Sequence, residues 1–295
     1  MARRDSSHIS PTAHYTGYVW SRNGLADPAL ETRAGRLLFH GLQPVMSALK
    51  ALVGTPSLED LLMARHRSLE WLLRQAIESG QVAQVVEIAA GLSPRGYRMM
   101  RAYGDQGLRY IEGELPAMCA RKRARLRALG EERPGHHVVE LDALCDTGAR
   151  SLHAIGDEYL DPNGGTAVIT EGLVNYFSRA QVIGMWARFA RFLARYPHGV
   201  YTGDINVRGD VTGIPGVRLF TTILGLFTRG AVHIHFPRAR DVEDALIAVG
   251  FRTAQCQHVA DVAGPVGLTD AEARAPVRII QATMGASSAG SFDDE

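Results

Sequence analysis

The sequence lacks the cysteine patterns of disulfide-rich and zinc-binding proteins. Its three cysteines, Cys119, Cys145 and Cys256, lie far apart and form no C-x-x-C pair. An odd number of isolated cysteines argues against a disulfide framework or a zinc finger, and it is typical of a protein in a reducing cytosol. We therefore expect a cytoplasmic protein, and the cysteine spacing predicts no metal site.

Long apolar runs and an excess of either charge are also missing. No stretch of about 18 apolar residues is present, and the first 15 residues lack the apolar core of a signal peptide. Lys and Arg number 32 against 31 Asp and Glu, so net charge favours neither nucleic acid nor acidic membranes as a partner. The basic run 121–127 lies in a predicted helix without flanking aromatic residues, and we interpret it as a solvated helix face.

The first eighty residues differ in pattern from the rest of the chain. With 295 residues, 46% of them apolar, the chain has room for a sizeable core and for one or two domains. Residues 28–53 and 57–79 have helical periodicity, and Pro44 is expected to kink or split the first segment. Ser57 is a predicted N-cap, and Arg65 falls on the apolar stripe of the second helix. These features predict an N-terminal helical cap over residues 1–80.

Strands and helices alternate after Gly80, which is typical of an α/β protein with a mostly parallel sheet. Two consecutive strands near the C-terminus predict one antiparallel strand there. The fold class is therefore a Rossmann-like sheet domain over 81–284, with a substrate or lid insertion at 205–236 and a disordered tail at 285–295. The predicted strands are 82–88, 108–112, 136–141, 167–170, 200–204, 251–257 and 277–283.

Acidic residues follow the ends of several predicted strands, where the ligand of an open parallel sheet lies. They are Glu87, Glu112, Glu114, Asp142 and Glu171. A small-residue turn after the first strand and an acid after the second suit a nucleoside, because small residues admit the ligand and a carboxylate accepts both ribose hydroxyls. The sequence therefore predicts a nucleoside-containing ligand.

Two common phosphate-binding patterns are absent. The turn at 89–94 supplies one glycine instead of G-x-G-x-x-G, and no G-x-x-x-x-G-K-[ST] motif is present. S-adenosylmethionine is the remaining common nucleoside ligand for such a sheet. Its amino-acid end has a carboxylate and an ammonium group, which Arg65 and Glu171 are able to pair.

Three motifs resemble the leucine carboxyl methyltransferase family, and more closely its bacterial branch of polyketide-type O-methyltransferases, such as the tetracenomycin carboxyl O-methyltransferase. Residues 84–98 (QVVEIAAGLSPRGYR) resemble the cofactor loop, 111–116 (IEGELP) the acid after the second strand, and 170–177 (TEGLVNYF) the fourth-strand motif. An Ala64-Arg65 match lies upstream. The resemblance runs from about His8 to Ile280 and implies a class I S-adenosylmethionine-dependent methyltransferase.

The resemblance also implies roles for individual residues. Arg65 would bind the methionine carboxylate, Glu171 the ammonium group, and Glu114 the ribose hydroxyls. The remaining predicted cofactor contacts are Glu87 at the first strand, Ala89 and Gly91 in the turn, and Asp142 with Ala143 at the adenine edge. The sequence departs from the family at Ala89, where many members have glycine, and at Glu114, where aspartate is more usual.

The kind of acceptor decides whether a catalytic base is needed. A carboxylate (pKa about 4) is already ionised at neutral pH, whereas a phenol (pKa about 10) needs a base or stabilisation of its anion. A mechanism that only aligns the acceptor with the methyl group needs no catalytic residue, so none is predicted. His233 and His235 are weak candidates for a base. The predicted substrate contacts are the aromatic residues Tyr15, Tyr18, Trp20, Tyr176 and Tyr201, together with Arg208.

The function predicted from the sequence is O-methylation of a carboxylate on a small, polyketide-like acceptor. A phenol and a peptide C-terminal carboxylate remain open as acceptors. A non-catalytic nucleotide-binding protein and an NAD-dependent enzyme are hypotheses of other classes. A small-molecule acceptor is the expected partner, and the oligomeric state stays open.

Overall fold

The structure, a computed structural model, describes residues 11–53, 56–212 and 233–285. The strands of these residues are β1 (Gln84–Ile88), β2 (Arg109–Glu114), β3 (His136–Glu140), β4 (Thr166–Thr170), β5 (Gly199–Ile205), β6 (Thr253–His258) and β7 (Arg278–Thr283). The longer helices are α1 (Pro11–Arg22), α2 (Arg33–Val53), α3 (Leu58–Glu78), α4 (Arg95–Tyr103), α5 (Pro116–Leu129), α6 (Leu152–Tyr159), α7 (Arg179–Leu193) and α9 (Ala239–Ala248). Four-residue helices are α8 (Arg208–Val211), α10 (Ala263–Val266) and α11 (Asp270–Ala273).

The strands form one sheet in the order β3-β2-β1-β4-β5-β7-β6. Strands β1 to β5 are parallel, and β7 runs antiparallel to both of its neighbours, β5 and β6. The predicted Rossmann-like sheet with one antiparallel strand near the C-terminus is confirmed. Strand order reverses between β1 and β4, so the crevice that receives ligands in such sheets lies at the carboxyl ends of these two strands.

Helices cover both faces of the sheet, because successive side chains of a buried strand point to opposite faces. Val86 of β1 belongs to a core cluster with residues of α6, α7 and α9. Its neighbour Val85 belongs to a second cluster, with Leu69 and Leu73 of α3 and residues of α4. All five residues of β1 are buried, as expected for a central parallel strand.

The N-terminal helices differ from the predicted pattern in two places. Residues 14–20, predicted only as an aromatic segment, lie in α1, which packs its Val19 and Trp20 against Leu62 of α3. α2 continues through Pro44 without a break, although proline removes one helical hydrogen bond. α3 begins as predicted, at an N-cap Ser57 that forms a capping box with Asp60.

The second half of α3 joins the N-terminal helices to the sheet, because Leu69 and Leu73 pack on the same face as Val85. The division of the chain into a cap of 1–80 and a sheet domain of 81–284 stays a prediction. Residues 213–232 of the predicted insertion and 286–295 of the predicted tail lie outside the described residues. No helix of the described ranges is long and apolar enough to cross a membrane.

Two glycines of α2 test how closely α1 packs against it. A Cβ on Gly35 would overlap the carbonyl oxygen of His14 in α1, so Gly35→Ala should lower the free energy of unfolding by about 1–3 kcal/mol. Apart from its chain neighbours and the backbone of its own helix, no described atom lies within 4 Å of a Cβ on Gly41, so Gly41→Ala should be neutral or stabilise the protein by up to about 1 kcal/mol. Urea denaturation measures both, and equal effects would contradict the close packing.

Candidate active site

A cavity of about 290 Å³ opens at the carboxyl ends of β2, β1, β4 and β5. Its floor includes the turn after β1 and the residues that follow β4. Apolar side chains from α1 and α3 cover it, among them Tyr15, Trp20, Leu61 and Leu62. The cavity therefore lies where strand order reverses, and its size approaches the range of about 300–1,000 Å³ typical of small-molecule sites.

The turn after β1 is held against the end of β2 by Glu114. Its Oε1 accepts a hydrogen bond from the backbone N–H of Gly91 at 2.8 Å, and its Oε2 accepts one from Leu115 at 2.9 Å. Burial raises the pKa of Glu114, while these two N–H groups oppose that rise. Ala89 and Gly91 both have positive φ, 57° and 55°, a region that costs a non-glycine residue about 1–2 kcal/mol. The strained residue Ala89 occupies the position at which many members of the resembled family have glycine.

The two glutamates of β2 occupy different environments. Glu112 is fully buried behind the turn, where it pairs with Lys122 and accepts a hydrogen bond from His136 Nε2 at 2.8 Å. Lys122 Nζ also donates to the carbonyl oxygen of Ser93 at 2.8 Å. Glu114, not Glu112, lines the cavity, so Glu114 is the carboxylate of β2 that is available to a ligand.

Glu171, directly after β4, is the centre of a buried network of charges in the cavity floor. Its Oε2 accepts a hydrogen bond from Arg95 Nη2 at 2.6 Å and lies 2.9 Å from His66 Nδ1. Its Oε1 accepts one from Arg65 Nε at 3.1 Å. Burial by itself raises the pKa of Glu171, but His66, Arg95 and Arg65 together hold that pKa well below its usual value.

Arg95 extends the network to the centre of the sheet. Its Nη1 donates to Glu87 Oε1 at 2.6 Å, and Glu87 Oε2 accepts a hydrogen bond from the Tyr110 hydroxyl at 2.7 Å. Arg95 is fully buried and Glu87 is 1% exposed. Buried charges of this kind are tolerated only when they are paired, so these contacts fix α4 relative to β1 and β2.

Asp204, near the end of β5, forms the other side of the network. Its Oδ1 accepts a hydrogen bond from the backbone N–H of Gly172 at 2.6 Å, and its Oδ2 lies 3.5 Å from Arg65 Nη1. Gly172 has φ 63°, and a Cβ there would come within 2.9 Å of Arg65 Nη1. The absence of a side chain at Gly172 therefore lets the Arg65 guanidinium lie between β4 and β5.

The cavity brings together most of the residues predicted from the sequence. Those that line it are the cofactor candidates Arg65, Glu87, Ala89, Gly91, Glu114 and Glu171 and the substrate candidates Tyr15, Trp20 and Tyr176.

The other predicted residues are not part of this lining. Tyr201 is fully buried in the core, where its hydroxyl bonds to Thr170 Oγ1 at 3.0 Å and to Trp186 Nε1 at 3.2 Å. Tyr18 bonds to His40 Nε2 at 3.2 Å, and Arg208 is exposed.

Asp142 and Ala143 are not among the residues that line the cavity, and Asp142 Oδ1 accepts a hydrogen bond from the backbone N–H of Leu144 at 2.9 Å. The two histidine candidates also lie outside it. His233 is exposed, His235 Nε2 is 2.7 Å from the carbonyl oxygen of Phe177, and Ile234 between them is the residue that lines the cavity.

His66 and Arg95 are absent from the predicted site, although they hold Glu171 in place. The available signals were their positions: His66 follows Arg65 on α3, and Arg95 follows the small-residue turn. Neither position shows that both side chains meet a carboxylate more than 75 residues away along the chain. Among the described residues, no group of three or more His, Cys, Asp or Glu side chains is arranged to hold a metal ion.

The sheet order, the acid after β2 and the charged floor fit an S-adenosylmethionine-dependent methyltransferase. The sequence matches the leucine carboxyl methyltransferase family over residues 29–189. Because this match covers more than half of the 295 residues, the chain belongs to that family. A search of curated proteins gives no significant match.

Solved structures share the fold at low sequence identity. A protein of Thermobifida fusca YX, described as a candidate methyltransferase, has a TM-score of 0.62 and 15% identity, with 96% of this chain and 97% of that chain covered. A DUF574 family protein from Streptomyces avermitilis MA-4680 has a TM-score of 0.62 and 13% identity, with 94% and 97% covered. A candidate O-methyltransferase from Nostoc punctiforme PCC 73102 has a TM-score of 0.50 and 14% identity, with 84% and 69% covered.

The residues of the cavity fit S-adenosylmethionine. Glu114 supplies carboxylate oxygens beside a turn of small residues, as a ribose requires. Arg65 uses one strong hydrogen bond, to Glu171, so further N–H groups of its guanidinium remain for a ligand carboxylate. Trp20 also lines the cavity, and its buried indole N–H has no hydrogen-bond partner in the part of the chain that the structure describes.

The burial of Glu171 predicts a large effect of its neutralisation on stability. Glu171→Gln should lower the free energy of unfolding at pH 7 by about 3–5 kcal/mol, because it leaves buried cations without their partner. Glu132→Gln is the control, because Glu132 forms an exposed pair with Arg127, and it should change little. Chemical denaturation of the three proteins measures the differences.

The difference in unfolding free energy between wild type and Glu171→Gln depends on pH. The pKa of Glu171 is lower in the folded state than its usual value of 4.5, so its contribution is complete above about pH 4.5 and is lost as the pH falls through the lowered folded value. The stability difference between wild type and Glu171→Gln should therefore shrink on acidification. A difference that is small at pH 7, or that grows on acidification, would contradict the charge network.

Proposed function

We propose that this methyltransferase transfers the methyl group to a hydroxyl oxygen of a small, flat, polyketide-like acceptor. The observation that carries the proposal is the charge of the cavity. Of the described residues that line it, four are carboxylates, Glu87, Glu114, Glu171 and Asp204, and one, Arg65, is a cation; Arg95, which pairs with Glu87 and Glu171, lies outside the lining. A carboxylate acceptor would add a further negative charge to this lining, whereas a neutral hydroxyl would not.

The position of the cavity supports a division into two parts. Neighbouring strands are about 4.8 Å apart, so the ends of β2 and β5, three strand spacings from each other, are about 14 Å apart. We propose that the cofactor lies across β2, β1 and β4, with Glu114 at the ribose, Arg65 at the methionine carboxylate and Glu171 at the ammonium group. The end at β5, with Asn175, Tyr176, Asp204 and Asn206, is then left for the acceptor.

The protein's own contribution to the reaction is alignment and exclusion of water. Bound S-adenosylmethionine supplies an electrophilic methyl group on a positively charged sulfur. Tyr15, Trp20 and Leu62, which are 7%, 5% and 4% exposed, cover the cavity and limit the entry of water. Their flat and apolar surfaces suit an aromatic acceptor.

Carboxylate methylation is the second candidate. Membership in a family named for carboxyl methylation favours it, and so does the absence of histidine from the described lining, since an ionised carboxylate needs no base. It requires a cation other than Arg65 at the acceptor end. The exposed Arg208 lies outside the described lining.

A matched acceptor screen distinguishes the two candidates. The enzyme is incubated with methyl-labelled S-adenosylmethionine and either 1-naphthol or 1-naphthoic acid, which share a flat ring system and differ in the acceptor group. A peptide with a free C-terminal carboxylate serves as the third arm. We expect a base-stable ether from 1-naphthol, and label found only in base-labile esters would overturn the proposal.

Arg65→Ala should weaken binding of S-adenosylhomocysteine by about 10–100-fold, because a hydrogen bond between charged groups contributes about 1.5–3 kcal/mol. Arg67→Ala is the matched control on the same helix. Arg67 pairs with Glu272 at 3.2 Å, does not line the cavity, and should leave the affinity within about two-fold. Isothermal titration calorimetry measures all three proteins, and an unchanged affinity in Arg65→Ala would refute the assigned role.

A further inference from the structure

Asp204 occupies the acceptor end of the cavity with one oxygen available to a ligand. Its side chain is 7% exposed. Oδ1 is held by the backbone N–H of Gly172 at 2.6 Å, whereas Oδ2 forms an ion pair with Arg65, whose Nη1 is 3.5 Å away. A hydrogen bond of that length is long, so Oδ2 retains the capacity to accept a proton or a hydrogen bond.

Two asparagines beside Asp204 form a relay whose direction is fixed by a backbone carbonyl. The carbonyl oxygen of Pro276 can only accept, so Asn206 must direct its Nδ2 toward it, at 2.6 Å. Asn206 Oδ1 then faces Asn175 and accepts a hydrogen bond from its Nδ2 at 2.7 Å. This order leaves Asn175 Oδ1 as a buried acceptor that has no hydrogen-bond partner among the described residues.

The acceptor end therefore contains hydrogen-bond acceptors that are not fully paired. Asn175 and Asp204 both line the cavity; Asp204 Oδ2 makes the 3.5 Å contact with Arg65 Nη1, and Asn175 Oδ1 is buried without a hydrogen-bond partner among the described residues. An ionised carboxylate brings no donor to such a site, whereas a hydroxyl brings one. Unmatched buried acceptors penalise the wrong ligand, so this arrangement is independent support for a hydroxyl-bearing acceptor.

We propose that Asp204 is the catalytic base that takes the proton from the acceptor hydroxyl. The proposal rests on the proposed function, because a carboxylate acceptor has no such proton. In the transfer, the acceptor O–H bond breaks and its proton passes to Asp204 Oδ2. The electron pair left on oxygen forms the new bond to the methyl carbon, and the carbon–sulfur bond breaks with its pair on sulfur, leaving a neutral thioether.

The surroundings of Asp204 suit a base. Burial raises the pKa of Asp204, and Arg65, the N–H of Gly172 and the backbone N–H of Asp204 itself offset this only in part, while Glu171 raises it further. The other titratable groups that face it are Tyr176 and Tyr201, whose own pKa values are raised by burial. A base with a raised pKa accepts a proton more readily at neutral pH. Activity should therefore fall on acidification, as Asp204 becomes protonated.

Asp204→Asn tests the proposal, because the amide oxygen can keep the hydrogen bond from Gly172 while the basic oxygen is lost. With 1-naphthol we expect kcat to fall by about 10²–10³-fold. The affinity for S-adenosylhomocysteine should stay within about three-fold, and the acidic limb of the pH profile should disappear. Asp244→Asn, which changes an exposed carboxylate of α9, is the control and should retain wild-type kcat and pH profile.

A second acceptor separates loss of a base from loss of structure. With 4-nitro-1-naphthol, whose hydroxyl is already largely ionised at a neutral assay pH where that of 1-naphthol is not, Asp204→Asn should recover to within about ten-fold of wild type. Equal losses with both naphthols, a kcat within two-fold of wild type on 1-naphthol, or a matching loss of S-adenosylhomocysteine affinity would each overturn the role of Asp204. A wild-type enzyme that yields only esters would instead overturn the proposed function, which the acceptor screen detects separately.

Discussion

The burial of the Glu171 carboxylate between Arg65, Arg95 and His66 is the constraint on which the site depends. A carboxylate that is 6% exposed loses most of its hydration, and only well-placed donors compensate for that loss. Its partners come from α3 and from the start of α4, so helices on the same face of the sheet must take fixed positions for the charge to be paired. The lowered pKa of Glu171 shows that its partners more than compensate for this loss, and the same contacts fix the positions of the two helices.

The cavity follows from that geometry. α3 packs on the sheet through Leu69 and Leu73 in its second half and covers the crevice with Leu61 and Leu62 in its first half. α1 lies across α3 and adds Tyr15 and Trp20 to the cover. Arg65 and His66 lie on α3 between these two groups of leucines, so their pairing with Glu171 also sets the position of the covering residues over the cavity. The same helix thereby links the fold of the sheet to the shape of the site.

Much of the fold could be predicted from the sequence because its signals are local. Strands β1 and β4 contain short apolar runs, and Ser57 caps α3 through a contact three residues away. The sequence does not predict α1 as a helix, because Gly17, Thr16 and several aromatic residues are poor helix formers. Tertiary packing on α2 and α3 stabilises this helix instead. Pro44 was expected to disturb α2, but a helix can continue past proline when the loss of one hydrogen bond is tolerated.

The site could be predicted only in part, because its contacts are long-range. Glu114 and Glu171 were recognisable from their positions after strands, and Arg65 as a charge on an apolar stripe. Tyr201 lies within β5, and its hydroxyl is engaged by Thr170 and Trp186 in the core. A strand that is buried on both faces gives no pattern to show which face meets the ligand. The direction of the Asn175–Asn206 relay depends on the Pro276 carbonyl, 70 residues beyond Asn206, which sequence spacing does not reveal.

We propose that one charged crevice orients the cofactor across β2, β1 and β4 and leaves the β5 end for the acceptor. A crystal structure with S-adenosylhomocysteine tests this orientation most directly. We predict the ribose hydroxyls at Glu114, the amino-acid carboxylate at Arg65, and an open volume beside Asp204 and Asn175. A ligand bound in the opposite direction, or one whose carboxylate does not contact Arg65, would contradict it.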